Sequence, residues 1–213
     1  MMRDPSRERL LKVKLRKRRG RTPSSRQWLE RQLNDPYVSA AKREGYRSRA
    51  AYKLEEIAEK YGFLRRGAVV VDLGAAPGGW SQVAARRVGA EAGGGAVLAL
   101  DILPFDAIPG VVALQMDFSA PEAETTLLDT LGGRKADAVL SDMAAPATGH
   151  RATDHLRIIG LAEEALDFAV KVLAPGGAFL AKVFQGGSEK NLLDRLKRDF
   201  ASVRHIKPKA SRA

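Results

Sequence analysis

The sequence predicts an α/β fold, a mostly parallel sheet with helices on both faces. Two observations carry that reading. Short apolar or β-branched runs alternate with helical stretches from Val69 onward, the pattern of successive βαβ units. The first run opens VVVDLGAAPGGW at 69–80, a strand, a glycine loop and a helix start in that order. A chain of 213 residues, 45% hydrophobic, can bury one such core and still carry an appendage.

The appendage comes first. Residues 1–24 hold ten Lys or Arg and two acidic residues, a net +8 out of the +11 on the whole chain. Residues 1–23 therefore read as a basic arm, mobile until it meets a polyanion, with Arg16, Lys17, Arg18 and Arg19 as candidate RNA contacts. Residues 24–213 read as the folded domain, with a helical extension at its start. Ser24 or Ser25 can cap a short helix that carries Leu29 and Leu33 on one face and Trp28 beside them. Asp35-Pro36 breaks it, and a second short helix passes through Tyr37, Val38 and Ala41. A third is capped by Ser48, buries Ala51, Leu54, Ile57 and Ala58, and ends at Gly62. Lys53 lies at the edge of that buried stripe. Arg47, Arg49 and Lys53 gather where the helix macrodipole disfavours cations, which suggests either an anionic partner or a solvated basic face.

The sheet follows. Residues 69–71 read as the first, buried strand and 81–87 as a helix start. The second strand, 96–100, closes on Asp101; the third, 111–115, leads to Asp117; the fourth, 136–140, closes on Ser141-Asp142-Met143. Helices are expected at 125–131, at 154–173 (stopped by Pro175-Gly176-Gly177) and at 188–200. The fifth strand is expected at 178–184, and a sixth from Val203.

The glycine loop narrows the ligand. Its glycines fall as G-x-x-x-G-G at Gly74, Gly78 and Gly79, so it is neither a dinucleotide fingerprint nor a P-loop. Glycines let backbone approach a ligand closely. Asp72, closing the strand, argues against a phosphate and for a ligand with a cationic or hydroxyl-rich part. S-adenosylmethionine (SAM) has an ammonium, a sulfonium and a ribose. Asp101 stands where this fold class grips ribose hydroxyls. Lys182 interrupts the apolar run AFLAKVF, so it must snorkel or work. Alternation puts it on one face with Leu180 and Phe184, near the strand's carboxyl end, where it can meet Asp142. To be neutral near pH 7 a lysine must fall from ~10.4 by about three units, roughly 4 kcal/mol. Burial and a like charge from Lys53 could supply this, and Lys182 could then take a proton from a weakly acidic hydroxyl, oriented by Asp142.

Composition excludes other chemistry. There are no cysteines, hence no disulfide, thiolate metal site or thiol nucleophile for pyrimidine C5 methylation. His150, His155 and His205 lack metal-ligand spacing, and no metal is expected. No apolar run reaches the ~18 residues of a membrane span, and the N-terminus lacks an apolar signal core. SDMAAP replaces the D/N-P-P-Y/F of exocyclic-amine methylation. A hydroxyl acceptor on a polyanion means a ribose 2′-OH, attacking the sulfonium methyl in line. A cytoplasmic monomer is expected.

SSRQWLERQLNDPYV, EGYRSRAAYKLEEI, VVDLGAAPGGWSQ, LSDMAAP and LAPGGAFLAKVFQG together resemble the FtsJ/RrmJ family of SAM-dependent RNA 2′-O-methyltransferases, more narrowly its bacterial large-subunit rRNA methyltransferase E branch. The similarity runs from about Ser24 onward. It implies a Rossmann-like seven-strand methyltransferase fold and 2′-O-methylation of a uridine in the A-loop of 23S rRNA, on assembled large ribosomal subunits. The family's Lys-Asp-Lys-Glu pattern falls on Lys53, Asp142 and Lys182, the last as proton acceptor. Its cofactor positions fall on Gly78, Trp80, Asp101, Asp117 and Asp142. The family's glutamate follows a motif like KPxSSRARSRE, where this chain reads KPKASRA, so the glutamate and last strand are expected to be missing here. The loop after Met143 reads Ala-Ala-Pro-Ala where relatives often have Ala-Pro-Asn. The alternatives are a tRNA or mRNA-cap 2′-O-methyltransferase, or a non-catalytic RNA- or ribosome-binding protein on the same fold.

Overall fold

A computed structural model describes residues 5, 13–15, 23–146, 148–184 and 190–211. Three helices precede the sheet: α1 (Pro23–Leu33), α2 (Pro36–Arg43) and α3 (Ala50–Tyr61). Asp35 caps α2, accepting from Tyr37 N at 3.0 Å, with Pro36 at the position where a missing N–H costs nothing. Gly62 ends α3 in the left-handed conformation. The expected Ser48 cap does not form: Arg49 occupies that place without a side-chain cap, and Ser48 packs against Gly79 instead.

The α/β part runs β1 (Val69–Leu73), α4 (Gly79–Val88), a short 3-10 turn, β2 (Ala96–Asp101), β3 (Val111–Gln115), α5 (Ala123–Leu131), β4 (Ala136–Ser141), α6 (Arg151–Val172), β5 (Leu173–Ala181) and α7 (Lys190–Asp199). The five strands are all parallel, in the order β3-β2-β1-β4-β5. Alternate side chains of the central strands feed two cores, so both sheet faces must be covered. Val70, Val97, Ala138 and Leu140 pack with Leu54 of α3 and Val83 of α4. Val71, Leu98, Leu100 and Val139 pack with Leu127 of α5 and Phe168 of α6 on the other face. The sheet order reverses between β1 and β4, which opens the crevice at their carboxyl ends.

Four expectations are corrected. β5 starts at Leu173, not 178. Leu173 pairs with Ala136 and Ala178 with Ala138, so 174–177 bulge out opposite Asp137, and Pro175 sits where no N–H is needed. Lys182 lies one residue beyond β5, though its N–H still bonds Ser141 O at 2.8 Å. No sixth strand forms at Val203, and the described residues hold five strands rather than seven; residues 209 and 210 bond to α3 and its cap rather than to a sheet edge. Within the arm, residues 13–15 are held on α1: the Asn34 amide accepts from Val13 N at 2.7 Å and donates to Val13 O at 2.8 Å, and Leu15 N donates to Glu30. Arg16, Lys17, Arg18, Arg19 and the Trp28 side chain lie outside the described residues.

Candidate active site

The carboxyl ends of the strands bring the candidate residues to one edge. Asp72 is in β1, Asp101 ends β2, Asp117 follows β3, Asp142 follows β4 and Lys182 follows β5. Lys182 and Asp142 meet directly. Nζ lies 2.7 Å from Asp142 Oδ1 and donates to the Asp142 carbonyl oxygen at 2.8 Å. The Oδ1 approach is an ion pair rather than an aligned hydrogen bond, since that oxygen lacks a partner of hydrogen-bonding geometry. An amine or ammonium with one aligned bond keeps directions free for a substrate oxygen. Both side chains are about a quarter exposed, at 25% and 21%, so the pair is accessible without being fully solvated.

Gly74 and Gly78 shape the loop above β1. Gly74 has φ 75°, and a Cβ there would lie 2.7 Å from Met143 N and Cα. The β1 and β4 loops therefore cross at the switch point only because this residue has no side chain. Gly78 has φ 104°, and its Cβ would meet Ile108 and the Arg47 guanidinium. Asp101 ties two loops together, accepting from Ala76 N through Oδ2 and from Leu103 N through Oδ1, both at 2.8 Å. Asp117 is exposed and accepts from Ser119 N at 3.0 Å, a local Asx turn.

Asp72 is the electrostatic outlier. Its carboxyl has no exposed surface; Ser81 Oγ donates to Oδ2 at 2.6 Å and Oδ1 has no partner. Burial pushes its pKa up to about 7, the Ser81 bond opposes the rise, and the charges of Asp142 and Asp101 add to it.

Lys53 is half-buried near the start of α3. That end of α3 rests on the start of α4: Trp80 Nε1 donates to Ala50 O at 2.9 Å, and Gly79 leaves room for Ser48. Glu55, buried one half-turn further along, clamps α3 to α4 by taking Arg86 and, at 2.6 Å, Arg87. Trp80, a candidate cofactor contact, has its indole inside this core at 5% exposure. Its peptide, at the N-terminus of α4, is the part that borders the loop.

Arg47 and Arg49 serve the fold. Arg47 donates to the carbonyls of Pro77, Asp106 and Ala107, and its N–H bonds Gln82. Arg49 pairs with Asp35 at 2.8 Å, lies over the Tyr37 ring and donates to Ala210 O. The macrodipole cost that suggested an anionic partner is met internally at both residues. Sequence reasoning missed Ser81 and Gln82, whose roles depend on partners nine and thirty-five residues away. It also passed over Ile102 and Leu103, 61% and 62% exposed beside Asp101. Among the described residues no group of three or more His, Cys, Asp or Glu could hold a metal ion.

Comparison with known proteins places these features in a lineage. The family model of FtsJ-like methyltransferases matches residues 46–213. A protein of Xanthobacter autotrophicus named ribosomal RNA large subunit methyltransferase E is 64% identical over 203 residues, covering 95% of this chain and 80% of its own. One of Paramagnetospirillum magneticum with the same name is 61% identical over 209 residues, covering 97% and 84%. A solved structure described as a ribosomal RNA methyltransferase of Plasmodium falciparum superposes with TM-score 0.70 at 32% identity, over 78% of this chain and 93% of that one.

Proposed function

Because this chain belongs to the FtsJ-like methyltransferase family, we propose that it transfers a methyl group from SAM to the ribose 2′-OH of a uridine in the A-loop of 23S rRNA, on the large ribosomal subunit. The observation that carries the chemistry is the Asp142–Lys182 pair, 2.7 Å apart at the switch point beside the glycine loop. The relatives' shared name supports the substrate class.

The residues at the edge fit SAM. Asp101 keeps lone pairs for ribose hydroxyls while holding its two loops, and Ile102 and Leu103 offer an exposed apolar surface beside it for a flat base. Asp117 is an exposed acceptor for an adenine amine. Gly74 and Gly78 hold the loop open to backbone approach, and Trp80 borders it through its peptide. Asp72, Asp101 and Asp142 together favour a cationic ligand. When bound, SAM supplies an electrophilic methyl on its sulfonium. Lys182, in its neutral amine form, then takes the 2′-hydroxyl proton, Asp142 fixes the Lys182 side chain, and Lys53 holds the substrate ribose. Residues 1–23 act as an RNA-attracting arm carrying Arg16, Lys17, Arg18 and Arg19. No described helix is long and apolar enough to cross a membrane. A substrate on the large ribosomal subunit supports a cytoplasmic location.

The test is transfer of labelled methyl from SAM into unmethylated large subunits, comparing the chain with Lys182→Ala. The variant is expected to lose about 10²–10⁴-fold in rate with SAM binding retained. The modified linkage should resist alkali, because a blocked 2′-oxygen cannot attack its phosphate. Label at an alkali-labile linkage, or equal rates in the two proteins, would overturn the assignment. Transfer to naked tRNA in preference to subunits would move the substrate within the family.

A further inference from the structure

The connection from β2 to β3, residues 102–110, holds no helix. Its local hydrogen bonds sit at its ends: Leu103 N donates to the Asp101 carboxylate, and Val111 N donates to Ile108 O. The middle is held in two other ways. Phe105 and Ile108 turn into the core beside Trp80. Asp106 and Ala107 stay exposed, and their carbonyls accept from the Arg47 guanidinium. Nη1 lies 2.5 Å from Asp106 O, and Nη2 lies 2.7 Å from Ala107 O.

The same guanidinium reaches the glycine loop. Nη1 also donates to Pro77 O at 3.3 Å, and it passes so close to Gly78 that a Cβ there would lie 3.0 Å from it. The root of the side chain is fixed as well. Gln82, in the first turn of α4, accepts from Arg47 N at 2.8 Å and donates to Gly45 O at 3.0 Å. Arg47 is therefore pinned at its backbone and at its tip.

Asp101 makes the matching connection with the opposite polarity. It takes the N–H groups of Ala76 and Leu103, whereas Arg47 gives to the carbonyls of Pro77, Asp106 and Ala107. Each side chain joins the loop after β1 to the loop after β2. The loop that carries the exposed Ile102 and Leu103 is thus tied near its start by a carboxylate and in its middle by a guanidinium. Lysine in place of Arg47 would keep the charge but lose the planar fork that spans several oxygens at once.

We propose that Arg47 is a positioning residue for SAM: it holds the 102–110 loop against the glycine loop, so that the cofactor cleft is already formed when SAM arrives. It acts through the two loops and not on the reacting atoms. The inference rests on the SAM reading of this edge and adds the residue that preorganises it. A cleft formed only part of the time binds with its affinity reduced by that fraction. Hydrogen bonds from a charged donor are the stronger kind, so losing this set should weaken SAM binding by about 10–100-fold.

The test titrates SAM into the parent, Arg47→Ala and Arg47→Lys by calorimetry, without RNA. It also follows amide exchange across 102–110 and methyl transfer to unmethylated large subunits. Arg47→Ala should raise Kd and KM for SAM by about 10–100-fold and speed exchange in the loop. At saturating SAM, kcat and KM for subunits should stay near the parent values, because bound SAM re-forms the cleft. Arg47→Lys should fall between the two, and it decides the matter should the Ala variant misfold. Parental SAM affinity in a folded Arg47→Ala or Arg47→Lys would overturn the proposal, and so would weakened affinity with unchanged loop exchange. A raised KM for subunits, a salt slope smaller by about 0.7–0.9 and intact SAM affinity would make Arg47 an RNA contact instead. A lower melting temperature with intact SAM affinity would leave it a role in stability alone. Methyl groups at an alkali-labile linkage would sink the 2′-O reading, with the SAM titration still deciding the role of Arg47.

Discussion

Replacing Asp72 by Asn should make the protein's stability less dependent on pH. The folded carboxyl titrates at about 7 against an ordinary 3.8, because burial disfavours its charged form. The folded state therefore holds the proton more tightly than the unfolded state between those values. Stability from this group is fully present below pH 3.8 and is lost as pH rises toward 7. At about 1.4 kcal/mol per unit, the cost is about 4 kcal/mol at pH 8 and roughly 2 kcal/mol at pH 5. Asn carries no such term, and its amide oxygen can still accept from Ser81 Oγ, which now lies 2.6 Å from Oδ2. The assay is urea unfolding of both proteins at pH 5 and pH 8. The difference in unfolding free energy, variant minus parent, should grow by about 2–3 kcal/mol from the lower pH to the higher. An unchanged difference would mean that Asp72 is ionised throughout, and the argument from burial would be wrong.

The same carboxyl should couple to the cofactor. A cationic ligand favours ionised Asp72, so SAM affinity should rise through pH 7, by up to about tenfold per unit that binding lowers the pKa, with proton release seen calorimetrically. A flat affinity profile would remove that coupling. Arg49→Ala leaves Asp35, 9% exposed, without the Arg49 cation and takes away the Ala210 anchor; urea unfolding should show a loss of about 3 kcal/mol. A loss well under 1 kcal/mol would contradict a structural role for that arginine. Gly74→Ala should cost more than the ~1–2 kcal/mol of a left-handed alanine, because its Cβ collides with Met143 backbone, and should impair SAM binding. Gly62→Ala, with nothing within 4 Å, is the control that carries the left-handed cost alone.

Local pattern sufficed where one element's own chemistry decides. The VVV run, its following glycines and the 3.6-residue stripe of Ala51, Leu54, Ile57 and Ala58 determine β1, its loop and α3, because propensity and burial agree there. The acids at strand ends and the lysine in an apolar run could be placed together from sequence as a candidate site, since parallel strands all present their carboxyl ends to one edge. Pairing partners were not legible. The Ala136–Leu173 pairing that starts β5 early depends on a neighbouring strand, and so does the 2.7 Å approach of Lys182 to Asp142. Arg47 and Arg49 looked available because sequence shows their charge but not the carbonyls, carboxylate and ring, up to 161 residues away, that take it up. The sequence by itself determined the elements and the chemical types at their ends. Tertiary structure decided which charges face each other, how deeply Asp72 is buried, and where the chain after α7 lies. These depend on separations through space, which a linear pattern does not encode.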